Sequence, residues 1–518
     1  MLARLNGPIG TRAKMARSIR IADRQLADVC ETSRHKSRFV ETSHLRLLLW
    51  IYLVAVLPVA ALPGGSLAWE ASSLLSVAII AVCAIGLCSV VRPGAPDWLA
   101  LCFFGFCYVW FGVAALAQST SQRNPLRQTM LDDPLASGQA VVLAGILAFG
   151  LGRVIGRRRV HASAVGPTVR SANSVSWSRT RWFVALNLLF TPFFVSTQGG
   201  LGALFSSREA KQLALSSAGL YTETSKGAGA LVTSAASVFP FMSLLLCFLF
   251  ALSMRRQAQR RPLAFSVLFV LTVVQNVILN NPISSSRFWF LVVVLSCVFC
   301  VPGRFSAARV AAIVFSFATA ATLLFPFLDA FRYEAGPSAV VSRGSPLLNK
   351  TDYDAAMQVA NAVRYAELNG FSFGEQFLTA ALFFIPRSIW HDKGLDSGVL
   401  LANFIRYPNE NLSGPLWAEA YLDGGFVAVV GVFFLIGVVS NWAYGAYRRS
   451  SGGLDAQTVG VVRLRLANVL FPVMSLYLVL IWRGSLLQSM GRLVVLVAAF
   501  YAVFGFSKWR ERREAPQV

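Results

Sequence analysis

Four arginines, Arg287, Arg332, Arg387 and Arg483, border hydrophobic runs in the segments SSSRFWF, DAFRYEAG, IPRSIWHDKG and LIWRGSLL. Followed along the alternation of apolar runs, all four fall on the side of a membrane where the chain otherwise keeps few positive charges. A guanidinium there is costly unless it meets water, a carboxylate or a phosphate. Its planar fork matches phosphate oxygens two at a time. The chemistry these residues point to is anion binding, and a lipid-linked phosphate or pyrophosphate is the anion a polytopic protein meets. Lys393, in the same segment as Arg387, adds weaker support.

Each arginine also has a plainer reading. Arg287 could be a helix-end anchor whose charge snorkels to the interface. The neighbouring Asn280, Asn281, Ser284, Ser285 and Ser286 favour a ligand role, because polar groups at that depth need partners. Arg332 is flanked by Asp329 and Glu334, so a local ion pair competes evenly. Arg492, inside the last apolar run, must face protein or water.

Two residues could move a proton. His391 follows Arg387 by four, and Pro386 can open a short helix that puts both on one face. Of His35, His44, His161 and His391, only the last lies on the arginine side. It could accept a proton from an attacking hydroxyl, or only hydrogen-bond headgroups. Glu419 and Asp423 stand four apart in PLWAEAYLDGG. Glu419 could serve as a base or orient a sugar hydroxyl. Asp423 reads as an acid placed at the start of the following helix. The DxD pair Asp352 and Asp354 could hold a metal, but reads better as a solvated loop or helix N-terminus. Cys297 and Cys300 read as small buried side chains, without the further ligands a metal site needs.

The elements that must position these groups are membrane helices. The chain has 518 residues, is 55% hydrophobic and 14% charged, and has mean hydropathy +0.58; soluble domains carry about 25% charged residues. A net charge of +23 would suit nucleic acid, but the basic residues lie in short segments between apolar runs, as the positive-inside rule requires. Twelve runs approach the roughly 20 residues of a span: 47–64, 72–91, 98–117, 138–156, 182–197, 231–252, 263–281, 288–301, 307–328, 425–447, 466–482 and 489–506. With both termini inside, the cytoplasmic segments hold 32 of the 47 basic residues.

This divides the chain into five parts. A basic cytoplasmic tail, 1–46, has no apolar core and is not a cleavable signal. Spans one to nine occupy 47–328, with an exoplasmic loop at 198–230. A large exoplasmic loop, 329–424, carries helix-like pieces, among them DYDAAMQVANAVRYAEL and an interfacial or re-entrant helix in FLTAALFFIPRSIWHDKG. Gly424 and Gly425 mark the return into the last three spans, 425–506, and 507–518 is a cytoplasmic tail. The expectation is an all-α integral membrane protein with about 12 transmembrane helices.

The order of QGGLGALFSSR (with Gly199, Gly200 and Arg208), NPISSSRFWF, FFIPRSIWHDKG and SGPLWAEAYLDGG, from Gly414 and Pro415 to Gly425, resembles the Wzy-type O-antigen and exopolysaccharide repeat-unit polymerases. The resemblance implies a C-type glycosyltransferase-like fold in the bacterial inner membrane and an enzyme without metal or cofactor. Such an enzyme moves a glycan from one undecaprenyl pyrophosphate to a repeat unit on another, at the periplasmic face. It implies pyrophosphate binding by positive residues, here Arg287, Arg332, Arg387, Lys393 and Arg483; the chain departs from the related O-antigen ligases in having no extended His-centred motif, and the residues themselves offer His391 or Glu419 as the catalytic group. Its partners would be the lipid-linked oligosaccharide, membrane lipid, a chain-length regulator and a flippase, with no nucleic acid. An O-antigen ligase-type transferase and a lipid-linked oligosaccharide flippase remain as alternatives. The lack of related halves and the asymmetric large loop weigh against the flippase.

Overall fold

The computed structural model describes residues 42–62, 70–126, 134–162, 174–206, 211, 226–283, 285–301, 303, 305–326, 348–408, 412–451 and 463–505. Arg332, Arg208 and nearly all of the basic tail lie outside the described residues.

Lipid offers the backbone no hydrogen bonds, so long apolar runs must pair their own amides and become helices. The helices run in the order α1 Thr42–Ala61, α2 Ala71–Val90, α3 Trp98–Ser121, α4 Pro134–Ala162, α5 Trp177–Leu189, α6 Thr191–Thr197, α7 Gly200–Leu204 and α8 Lys226–Arg256. Then come α9 Leu263–Leu279, α10 Arg287–Phe299, α11 Ala307–Leu324, α12 Ala355–Asn369, α13 Glu375–Ala381, α14 Ser397–Phe404, α15 Leu416–Ser451, α16 Leu466–Arg483 and α17 Leu486–Phe500. Among the described residues, nine helices are long and apolar enough to cross a membrane, and α9 and α10 are shorter apolar helices. Outward-facing side chains are apolar, as with Leu263, 81% exposed, and Val427, 84% exposed. A soluble surface does not spread such residues over a whole bundle.

The expected span 182–197 is instead two short helices. Pro192 at the start of α6 has no N–H to continue the ladder. The Thr191 hydroxyl takes over by donating to the Leu188 carbonyl at 2.7 Å. The break is sheltered by polar contacts between helices: Asn187 donates to Ser243 at 2.9 Å and Gln275 at 2.8 Å, a common form of helix glue in membranes.

Contacts sort the helix ends into two groups. At one end Ser174–Ser176 pairs antiparallel with Arg463–Arg465, Gly94 bonds Phe305, and Arg46 donates to the Val91 carbonyl. At the other, the Gln118 amide donates to the carbonyls of Leu348 and Tyr353 at 3.1 and 2.9 Å, and Arg287 and Arg483 meet Asp352. This arrangement is the one the alternating charge pattern requires.

α3 is the central post, with its whole apolar window inside the protein. Phe103 stacks on Phe149 at 3.7 Å and Trp417 on Phe433 at 4.0 Å. α4 and α15 approach so closely that a Cβ at Gly152 or Gly437 would run into the carbonyl oxygens of Phe434 and Phe149; small residues permit such contact. α15 is two helices joined at Gly424 and Gly425. Gly425 has φ +61°, and a Cβ there would lie 3.0 Å from the Phe371 ring, so the return into the bundle depends on glycine.

The segment between α11 and α15 is folded rather than looped. α12 coincides with the expected helix, but its residues Ala355–Val363 are all buried, so it is inserted into the protein. Gly138 of α4 makes room for it, since a Cβ there would stand 2.7 Å from the Ala360 nitrogen. The expected helix through FLTAALFFIPRSIWHDKG is only seven residues, Glu375–Ala381, followed by turns.

Candidate anion site at one end of the bundle

α10 has 13 residues, so at 1.5 Å per residue it rises only about 20 Å, against a hydrocarbon core of about 30 Å. Its first residue is Arg287. The preceding turn is knitted by its own asparagines: Asn280 donates to the Ser237 carbonyl at 3.0 Å and accepts from Trp289 at 2.9 Å. Asn281 donates to the Leu204 carbonyl at 3.0 Å. These amides, expected as ligand donors, hold the dip in the chain that positions Arg287.

Arg287 Nη1 lies 3.0 Å from Asp352 Oδ2. Arg483, the last residue of α16, reaches the same carboxylate at 3.7 Å and Asp354 Oδ1 at 3.8 Å. It also touches the carbonyls of Asp352 and Thr351 at 3.4 Å. Asp352 and Asp354 are 8% and 0% exposed. The DxD pair is therefore not solvated; it is a buried counter-charge for two arginines. The Trp110 indole fixes the Asp352 backbone by donating to its carbonyl at 2.9 Å.

The guanidinium groups rest on two rings, Arg483 4.9 Å from the Phe288 centroid and Arg287 5.9 Å from that of Phe325. Both rings line a cavity of about 540 Å³ between α10, α11 and α16, with Trp110 and Cys102 of α3 also in its lining. Its lining is almost wholly apolar, including Leu291, Ile313, Leu324, Leu476 and Val479. The two charges thus stand at the rim of a greasy cleft. Arg492 faces protein as expected, 4.8 Å from the Trp289 ring.

The other sequence-level residues are elsewhere. Arg387 donates to its own loop, to the carbonyls of Lys393 at 2.5 Å and Gly394 at 2.8 Å. Lys393 donates to the carbonyls of Leu382, Phe383 and Ile385 at 3.2, 2.9 and 2.8 Å. Both cations close the end of α13 and the turns after it. His391 is exposed in a turn, so its spacing from Arg387 does not place the two on a helical face. Asp423 caps α13, accepting from Ser372 at 2.6 Å and from the amides of Gln376 and Phe377 at 3.0 and 3.1 Å. It serves a helix remote in sequence rather than the one that follows it.

Glu419 is 2% exposed. It accepts from Ser397 at 2.8 Å and from the Leu486 amide at 3.0 Å, at the start of α17. Beside it Asp396 caps α14 through the Gly398 amide at 3.0 Å and bonds Ser485. Sequence reasoning missed Asp396. The only signal was the spacing DSG before an apolar run, which is a helix start. Arg483, Ser485 and Leu486 lie on one short turn, so these carboxylates hold the turn that presents Arg483.

Burial pushes the Asp354 carboxyl above its ordinary value of 3.8, against the opposing pull of Arg483. A raised folded value means that the folded state keeps a proton the unfolded chain has released. The stabilisation is full below pH 3.8 and is lost as pH rises through the folded value. Asp354→Asn should therefore melt higher than the parent at neutral pH and show a shallower fall in Tm above about pH 4. Thermal melts in detergent across that range check this.

No protein-family model, curated protein or solved structure matches the chain.

Proposed function

We propose that the protein is a membrane glycosyltransferase of the Wzy type. In this reading it transfers a growing glycan from one polyprenyl pyrophosphate to a repeat unit on another, at the exoplasmic face of the bacterial inner membrane. The supporting observation is the pair Arg287 and Arg483 at the rim of the apolar cavity, resting on Phe288 and Phe325. A prenyl chain suits the cavity and a pyrophosphate suits the rim.

In this reading a phosphate would compete with Asp352 for the two guanidinium groups. Arg483 holds Asp352 loosely, at 3.7 Å, and is the group free to turn onto an incoming anion. Transfer forms a bond between the acceptor hydroxyl oxygen and the anomeric carbon, and breaks the bond from that carbon to the pyrophosphate oxygen. The departing oxygen keeps the electron pair, and preorganised guanidinium groups stabilise its charge. The hydroxyl proton passes to a base. The sequence offers His391 as that base, exposed in a turn apart from the arginine pair, while Glu419, sealed beneath α17, acts as a positioning residue for the Arg483 turn. Arg387 and Lys393 support the site by shaping the loop that carries His391.

Deletion of the gene is expected to leave single capped repeat units on the cell surface and no long chains, read on a polysaccharide gel. Accumulation of full-length lipid-linked polymer would assign the ligase reaction instead and overturn this reading.

A further inference from the structure

A second cavity, about 370 Å³, lies between the 348–408 segment and the start of α15 and is lined by Tyr365, Glu375, Gln376, Asp392, Leu395 and Leu400 among others. Its size falls in the range of small-molecule sites, roughly 300–1,000 Å³. It is separate from the apolar cleft, with which it shares no lining residue.

Its polar groups divide into two sets. Ser372 and Lys393 are committed to the protein: Ser372 donates to Asp423, and all three donors of the Lys393 ammonium have carbonyl partners. The carboxylates of Glu375 and Asp392, the carboxamide of Gln376 and the hydroxyl of Tyr365 have no hydrogen-bond or ion-pair partner among the described residues. Gln376 is only 6% exposed. Its carboxamide lines the cavity, where a ligand could pair with it.

We infer that this cavity binds one sugar residue of the glycan, uncharged or carrying an amine, and rejects uronic acids. A sugar hydroxyl both donates and accepts, and so does a carboxamide; a carboxylate accepts from two hydroxyls at once. Leu395 and Leu400 supply an apolar wall for the ring carbons. Two carboxylates facing the ligand, with the only lysine spent on carbonyls, repel an anionic sugar. The assignment of this sugar to a lipid-linked glycan rests on the polymerase reading; the binding preference does not.

Full-length protein in lipid nanodiscs, probed by saturation-transfer NMR, tests this with methyl glucoside, methyl glucosaminide and methyl glucuronide. The first two should give signal above empty nanodiscs, with the glucuronide about tenfold weaker. Gln376→Ala should weaken the glucoside by about tenfold. The double variant Glu375→Gln, Asp392→Asn, with Asp392 at the surface, should bind glucuronide as well as glucoside. Equal binding of glucuronide by the parent, no signal from any glycoside, or an unchanged Gln376→Ala overturns the inference. Since no transfer is measured, glycoside binding in a protein that makes no polymer would count against the polymerase reading alone.

Discussion

Arg483→Ala is expected to lower polymer formation by about 10²–10³, the usual cost of losing one preorganised donor at a developing negative charge. Arg483 holds Asp352 and Asp354 at 3.7 and 3.8 Å, and Asp354 is fully buried, so the variant also carries a stability cost and its melting temperature is measured beside its activity. Arg483→Lys should recover only a small part of the rate, because an ammonium keeps the charge but loses the fork and the flat face that rests on Phe288. The readout is chain-length distribution on a gel at matched protein level.

Arg287→Ala should behave differently. Its partner Asp352 is buried, and removing one half of a buried pair costs about 3–5 kcal/mol because the other charge is left behind. Arg483 still faces Asp352, which places the expected loss near the lower end of that range. Adding Asp352→Asn should restore most of the melting temperature without restoring polymer. That split separates a residue that holds the fold from one that also binds substrate. If the double variant polymerises normally, Arg287 is a structural ion pair and nothing more.

The bundle was legible because lipid allows the backbone so few choices: eleven of the twelve apolar runs correspond to helices. The exception, 182–197, failed because a hydropathy window averages over Pro192 and cannot see Thr191 repairing the broken ladder. The charges were legible as rare and one-sided, but their partners were not. Asp352 stands 131 positions from Arg483, or one fewer than Thr351 does, and only packing brings them together. Local spacing was a poor guide to the loop for a related reason. Arg387 and His391 suggested a helical face, yet Arg387 turns onto the carbonyls of Lys393 and Gly394, and Lys393 onto those left open after α13. α12 shows the same override. It is expected as a helix-like piece of an exoplasmic loop, but Gln358 donates to the Ser413 carbonyl at 3.1 Å and Asn361 to Gln358 at 3.0 Å, which lets both be buried.

The most direct test of the central claim is reconstitution. Purified protein in proteoliposomes would be given polyprenyl-pyrophosphate-linked repeat units as the sole glycan source, with products resolved by chain length and released polyprenyl pyrophosphate measured. A ladder with matching pyrophosphate release, lost in Arg483→Ala, is the predicted result. A ladder of equal length and rate from Arg483→Ala, or none from the parent protein with intact substrate, would contradict the account.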